Sequence, residues 1–303
     1  MSTATTTPTE QPPPAGLPEN GSPLGSLIGS LLSKIARYLL MALVAVAAIV
    51  PVYWLLISSL KPSAEVHQFP PEWFPMPWTW ELRNYVDAWH AAPFGRLYIN
   101  SIVFAVVGSA LEICVAVLSA YAFAFLRFPA KNIVFMVFLG AMMVPGTVVL
   151  LPNYLTVANL GWVNTYAGLI VPGLGSVFAM FLLRQHMRTL PVEVTEAAKV
   201  DGASHLRILW SIIVPMSRPM VVTVVIISLV QKWNEFIWPL IVTTTDTMRT
   251  LPVGLLMLKS DEGYTNYGVV MAASVFVVVP VLVVFFFAQR QIIAGLTAGA
   301  TKG

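Results

Sequence analysis

The chain has 303 residues, 57% of them apolar and only 10% charged, with a formal net charge of +3 and a mean hydropathy of +0.77. Soluble domains carry roughly 25% charged residues, so this composition excludes an ordinary water-soluble globule and places the chain in the membrane class. A single cysteine, Cys114, excludes an internal disulfide and a cysteine metal cluster.

Residues 1–33 are rich in Thr, Pro, Ser and Gly and poor in large apolar side chains, which predicts a disordered tail. Lys34 and Arg37 then precede an uncharged run from Tyr38 to Leu60. About 20 apolar residues cross a bilayer, and a signal peptide has a shorter apolar core, so this run is a retained first span. The segment from Lys61 to Arg96 is polar and holds Trp73, Trp78, Trp80 and Trp89, a composition suited to the membrane–water boundary. A second span is predicted from Leu97 to Phe125, followed by a short basic turn with Arg127 and Lys131.

No charged residue occurs from Asn132 to Leu183, a stretch too long for one crossing. Pro152, Asn153, Asn159, Gly161 and Asn164 are turn formers, and they divide it into a third span (Ile133–Leu151) and a fourth (Tyr166–Gln185). A charged segment follows, then a fifth span from Pro219 to Val242. A polar loop, Thr243–Tyr267, leads to a sixth span from Gly268 to Gln289. Most basic residues, from Lys34 and Arg37 to Arg290 and Lys302, then fall on one side, which makes both termini cytoplasmic by the positive-inside rule. The fold expected is all-α with six transmembrane helices, because a lipid environment tolerates only helices or closed barrels.

Three ionisable residues fall inside spans: Glu112, Lys232 and Glu235. Such groups are costly at depth and usually functional. Glu112 and Lys232 have matched depth on spans two and five, so one reading is an intramembrane ion pair. A second reading has Lys232 and its neighbours Asn234 and Glu235 lining a translocation path. No phosphate-binding GxxxxGK[ST] loop is present, and His67, His90, His186 and His205 lack paired metal spacing. The chain therefore has no ATP site of that kind and no catalytic or metal constellation.

The most informative stretch is Leu190–Pro219, which lies between two long apolar segments. Glu193 and Glu196 fall near the start of a short helix, where the helix dipole favours negative charge. Asp201-Gly202 reads as its stop, with glycine free to take the left-handed cap conformation. A second helix begins near Ala203 and runs towards Pro215. Glu196-Ala197-Ala198, Asp201-Gly202-Ala203, Ile213-Val214-Pro215 and Pro219 closely resemble the EAA loop of ATP-binding-cassette import permeases. Val214 departs from the leucine usual there.

Within those permeases the chain is similar to the carbohydrate-uptake branch, which includes maltose-type and glycerol-phosphate importers. Leu126-Arg127-Phe128-Pro129, Trp233–Leu240, Asn266-Tyr267-Gly268 and the C-terminal residues 295–303 carry this likeness, which extends from about Ile35 to Gly303. It implies a type I ABC importer permease domain over residues 34–303 in a bacterial cytoplasmic membrane. It also implies import of a sugar, oligosaccharide or glycerol-phosphate-like solute. The partners implied are a homologous second permease, a dimer of ATPase subunits holding ATP and Mg, and an extracytoplasmic solute-binding protein, in a surround of membrane lipid and with no nucleic acid. Glu193, Glu196, Ala197, Ala198, Asp201, Gly202 and Ala203 are then the ATPase-coupling residues, and Lys232, Trp233, Asn234 and Glu235 the pathway residues. Asp246, Arg249, Asp261 and Tyr264 in the outer loop are the binding-protein contacts. The rival reading is a proton-coupled secondary transporter using Glu112 or Glu235, which leaves the EAA-like loop unexplained.

Overall fold

The computed structural model describes the backbone of residues 23–258 and 265–297, with side chains over residues 30–258 and 265–289. The described residues form helices and connecting turns, with no strand among them. The chain falls into two units, residues 1–53 and 54–303. The described part of the first is helical: the first helix runs Pro23–Ser59, so residues 23–33, expected in the tail, are helical. Pro23 suits a first helical position, where a missing N–H breaks no hydrogen bond. Leu24, Leu27, Ile28, Leu31 and Leu32 recur there at helical spacing.

In the second unit a surface helix, Arg83–Ala91, precedes the second span, which runs unbroken over Phe94–Phe125 with a π-helical turn at Val103–Val107. Ser30–Ser59, Phe94–Phe125 and Tyr267–Gln289 are each long and apolar enough to cross a membrane, and three bent helix pairs bring the number to as many as six where each pair counts as one span. The third span differs from the straight helix expected over Ile133–Leu151. It breaks into Lys131–Ala141 and Gly146–Asn159, bent by 99°. The cause is Pro145, which lacks an N–H and disfavours helical geometry at Val144 before it. Pro152, expected in the turn, instead lies inside the second piece. The turn itself comes later, where Gly161 (φ +68°) and Asn164 (φ +59°) take left-handed conformations.

The fourth span is also bent, by 46°, between Tyr166–Gly173 and Val177–Met187, at Pro172-Gly173 and Gly175. Ser176 restarts it by accepting the Ala179 N–H. The fifth span, expected as one helix over Pro219–Val242, is Arg218–Asn234 followed by a break at Glu235-Phe236 and a short helix Ile237–Val242. The sixth runs Tyr267–Thr297.

Small residues let these helices approach, as in membrane interiors generally. Ala116, Ala120, Ala272 and Ala273 are almost fully buried. One packed cluster joins Ile113, Val117 and Tyr121 of span two to Met180, Leu183 and Met187 of span four and to Ile208, Leu209 and Ile213. A second, near the opposite end, joins Phe94 and Leu97 to Leu251 and Val269. Two glycines mark close backbone approaches there: a Cβ on Gly254 would lie 2.2 Å from Leu97 Cδ1, and one on Gly268 would lie 2.7 Å from the Lys61 carbonyl oxygen. Lys61, read from sequence as part of a polar loop, is 1% exposed. Its ammonium lies 4.9 Å over the Trp54 ring and donates to the Glu72 carbonyl.

Candidate functional site

Two constellations emerge, one at membrane depth and one in the charged loop. At depth, Lys232 Nζ lies 3.0 Å from Glu112 Oε2, and both side chains are about nine-tenths buried. The pair is not isolated. Ser228 Oγ donates to the same carboxylate oxygen at 2.7 Å, and Ser109 Oγ lies 2.9 Å from Ser228 Oγ. A hydroxyl has one proton, so with Ser228 donating to Glu112 it is the Ser109 hydroxyl that donates to Ser228. Lys232 also donates to the Gly173 carbonyl at 3.3 Å and sits 5.6 Å from the centre of the Phe104 ring. One ammonium therefore bridges spans two, four and five. Gly108 and Gly173 leave it room, since a Cβ on Gly108 would come within 3.1 Å of Lys232 Cδ and one on Gly173 within 3.4 Å of Nζ.

This network forms one side of a cavity of about 470 Å³, whose lining also includes Thr147, Asn153, Ser176, Gln231, Glu235 and Trp238. Of the four residues expected to line a path, Lys232 and Glu235 line this cavity. Trp233 does not: one helical residue on from Lys232 turns it by about 100°, and its indole donates to the Val277 carbonyl of span six and packs near Tyr98. Asn234 folds back on its own helix, donating to the Val230 carbonyl, and is not in the lining. Glu235 has a second task, because its Oε1 accepts the Trp238 N–H at 3.4 Å and so caps the helix after the break. The Trp238 indole is fixed by the carbonyls of Gly168 and Leu169, both at 3.2 Å.

In the charged loop, Val192–Val200 is a helix with Glu193 in its first turn. It ends in a Schellman motif: the Ala203 N–H reaches the Ala198 carbonyl at 2.9 Å, and the Gly202 N–H reaches the Lys199 carbonyl at 3.0 Å. Gly202 supplies the required left-handed residue at φ +77°. Thr195 and Ala198 face inwards, while Glu193, Glu196, Ala197, Asp201 and Gly202 are exposed and Ala203 is half-buried. Ser204 caps the second helix, His205–Met216, which meets Arg218–Asn234 at 85°. His205 Nδ1 lies 3.0 Å from the Tyr121 hydroxyl, tying this helix to span two. Glu196, Lys199 and His205 line a groove of about 530 Å³ with Phe125 and Arg127 from the end of that span. The loop thus holds a rigid, exposed helix whose other face is packed on the bundle.

In the loop Thr243–Tyr267, Asp246 and Arg249 pair with each other at 3.1 Å. The loop is fastened to the start of span two: Asn100 donates to the carbonyls of Thr247 (2.9 Å) and Arg249 (2.8 Å), and Arg96 Nε donates to Thr247 at 3.0 Å. Asn164 Oδ1 accepts the Thr244 and Thr245 N–H groups. Asp261 and Tyr264 lie outside the described residues. Sequence reasoning missed Asn100, Ser109, Ser228 and the Tyr121–His205 contact. These are small polar residues in apolar helices, and the only available signal was their polarity.

Residues 112–297 match the family described as "Binding-protein-dependent transport system inner membrane component". The chain is 34% identical over 253 residues to the sn-glycerol-3-phosphate transport system permease protein UgpE of Yersinia pestis, covering 81% of this chain and 89% of that one. It is 32% identical over 271 residues to the arabinooligosaccharides transport system permease protein AraQ of Bacillus subtilis, covering 89% and 96%. To the diacetylchitobiose uptake system permease protein NgcG of Streptomyces coelicolor it is 33% identical, covering 87% of each. In fold it resembles a chain of a bacterial ABC transporter involved in alginate import, with a TM-score of 0.77 and 22% identity, covering 86% of this chain and 97% of that chain. The fold is that of a type I importer permease, and the chain belongs to the family of inner membrane components of binding-protein-dependent transport systems.

Proposed function

We propose that this chain forms one wall of the pathway of an ATP-driven importer for neutral, hydroxyl-rich solutes of the oligosaccharide kind. The observation that carries the solute class is the pairing of Lys232 with Glu112 at 3.0 Å. The pairing neutralises the one cation in the cavity lining and leaves the Glu235 carboxylate as its net charge. Two like unit charges 4 Å apart repel by about 4 kcal/mol at an effective dielectric of 20, so a phosphate dianion is disfavoured at this wall. An uncharged sugar meets no such penalty. Trp238 offers it an aromatic surface, and Asn153, Gln231, Thr147 and Ser176 offer hydrogen bonds. Support also comes from relatives named for arabinooligosaccharide and diacetylchitobiose uptake, whereas the glycerol-3-phosphate relatives point the other way.

In this reading a homologous permease supplies the facing wall, and an external binding protein delivers the solute. Two ATPase subunits hold ATP and Mg on the cytoplasmic side, where both termini of this chain lie. The helix Val192–Val200 sits in an ATPase cleft and passes closure of that dimer to the bundle through Gly202 and the Tyr121–His205 contact. The test is uptake by cells carrying the transporter and its cognate partners, with a labelled neutral oligosaccharide mixture and labelled sn-glycerol 3-phosphate offered in turn. The neutral solute should enter, its entry should stop when the ATPase gene is deleted, and excess glycerol phosphate should not compete. Higher kcat/KM for glycerol phosphate than for any neutral sugar would overturn the solute class. Uptake that survives loss of the ATPase would overturn the coupling.

A further inference from the structure

The loop between spans two and three meets the end of span four in a group of three cations. Arg184 is 7% exposed, with its guanidinium 3.8 Å from the centre of the Phe135 ring and its Nε donating to the Phe123 carbonyl at 3.2 Å. Lys131 Nζ donates to the Leu126 carbonyl at 2.8 Å, and the charges of Arg184 and Arg188 act on it. Arg188 is exposed and acts in turn on Arg184. Among the described residues no carboxylate lies within 4.0 Å of any of the three. The carbonyls at the end of span two take up part of the field, as cations near a helix C-terminus do. They do not neutralise three positive charges, one of them buried.

The surroundings define what can. Beside Lys131, the Lys131–Ala141 helix presents Ile133, Met136 and Val137, each more than 60% exposed. The loop itself forms a hollow of about 500 Å³ lined by Arg127, Lys131, Asn132 and Ile133. A cationic hollow at the end of a membrane-spanning bundle, continuous with an exposed apolar helix face, matches an amphiphile with an anionic head. Basic pockets between membrane helices on the cytoplasmic side are known to take such head groups.

We propose that Arg127 and Lys131, which line the hollow, bind the phosphate of an anionic phospholipid, whose acyl chains run along Ile133, Met136 and Val137. Arg184 and Arg188 add to the positive field. The phosphodiester oxygens accept from the Lys131 ammonium and from the Arg127 fork, an arrangement for which a planar guanidinium is suited. Arg184, stacked and buried, holds the positive field from beneath. A free phosphate ion would use the cations alone and leave the apolar face unused, so the occupant is a lipid.

The full-length chain, purified with its partner subunits, is exchanged into bilayer discs of phosphatidylcholine with and without phosphatidylglycerol. Retained lipid is then counted by native mass spectrometry across a phosphatidylglycerol titration. Each basic residue near an anionic surface contributes about 1 kcal/mol, or about five-fold in affinity, so Lys131→Gln with Arg127→Gln should weaken retention about 25-fold. Lys131→Arg with Arg127→Lys, which keeps both charges, should retain the lipid. This second variant also separates loss of the site from loss of the fold. Millimolar inorganic phosphate should not displace the lipid. Arg207→Gln, which removes a cation from the exposed second helix of the charged loop, should leave retention within two-fold. If Arg207→Gln weakens retention as much as the double variant, only a general surface potential is at work and the site is overturned. Displacement by inorganic phosphate would overturn the lipid assignment.

Discussion

Removing Lys232 tests the network at membrane depth most directly. In Lys232→Met the Glu112 carboxylate keeps one hydrogen bond, from Ser228 at 2.7 Å, and loses the ammonium 3.0 Å away. Glu112 is 6% exposed, so only a small part of its surface is open to water that could replace that partner. Breaking a buried pair from one side costs about 3–5 kcal/mol. Removing both partners, as in Glu112→Leu with Lys232→Met, leaves no stranded charge and should cost far less than the sum of the singles. If the double costs no more than one single, the coupling energy of the cycle is about 3 kcal/mol or more, at the upper end for contacting residues. The assay is reversible unfolding of the full-length chain in mixed micelles, followed by tryptophan fluorescence, for the parent, both singles and the double. Uptake of the neutral solute, measured beside it, should fall in both singles and return in part in the double. Additivity within about 0.5 kcal/mol, the range for non-interacting sites, would refute the reasoning and reduce the pair to two independently solvated groups.

Gly202→Val and Gly202→Ala should both weaken ATPase co-purification to a similar degree. A Cβ there meets nothing within 4 Å, so the expense is the left-handed backbone, about 1–2 kcal/mol, and Gly202→Asn should be milder. Normal co-purification of the valine variant would remove the coupling role from this turn. Gly254→Ala should destabilise the packing of the loop Thr243–Tyr267 on span two through its 2.2 Å clash with Leu97, by about 1–3 kcal/mol, and Leu97→Ala in the same chain should relieve part of it; thermal unfolding in detergent reads both. Tyr121→Phe deletes the hydroxyl 3.0 Å from His205 and should lower stability by only about 0.5–1.5 kcal/mol. Its larger effect should be on binding-protein-stimulated ATP hydrolysis, and unchanged stimulation would show that this contact carries no coupling.

The membrane class, the number of spans and the coupling-loop motif were all legible in the residues, because each rests on local sequence. A run of about 20 apolar residues has few ways to satisfy its backbone except as a helix in lipid. Asp201-Gly202 announces a helix stop because glycine alone takes φ +77° without strain. The matched depth of Glu112 and Lys232 was legible too, since rise along a helix is fixed. Sequence could not settle which way a given side chain turns. Lys232 and Trp233 are neighbours in the chain, yet one lines the cavity and the other packs on span six, because rotation about the helix is set by the partner helices. Nor did periodicity tell which proline breaks its helix. The third span bends by 99° at the break ending in Pro145, while Pro152 lies within the helix that follows. Long-range polar contacts, such as Asn100 with the loop at Thr247 and Arg249 or Ser109 with Ser228, depend on elements more than a hundred residues apart. Only the assembled bundle brings those groups within hydrogen-bonding distance, so only the tertiary structure decided them.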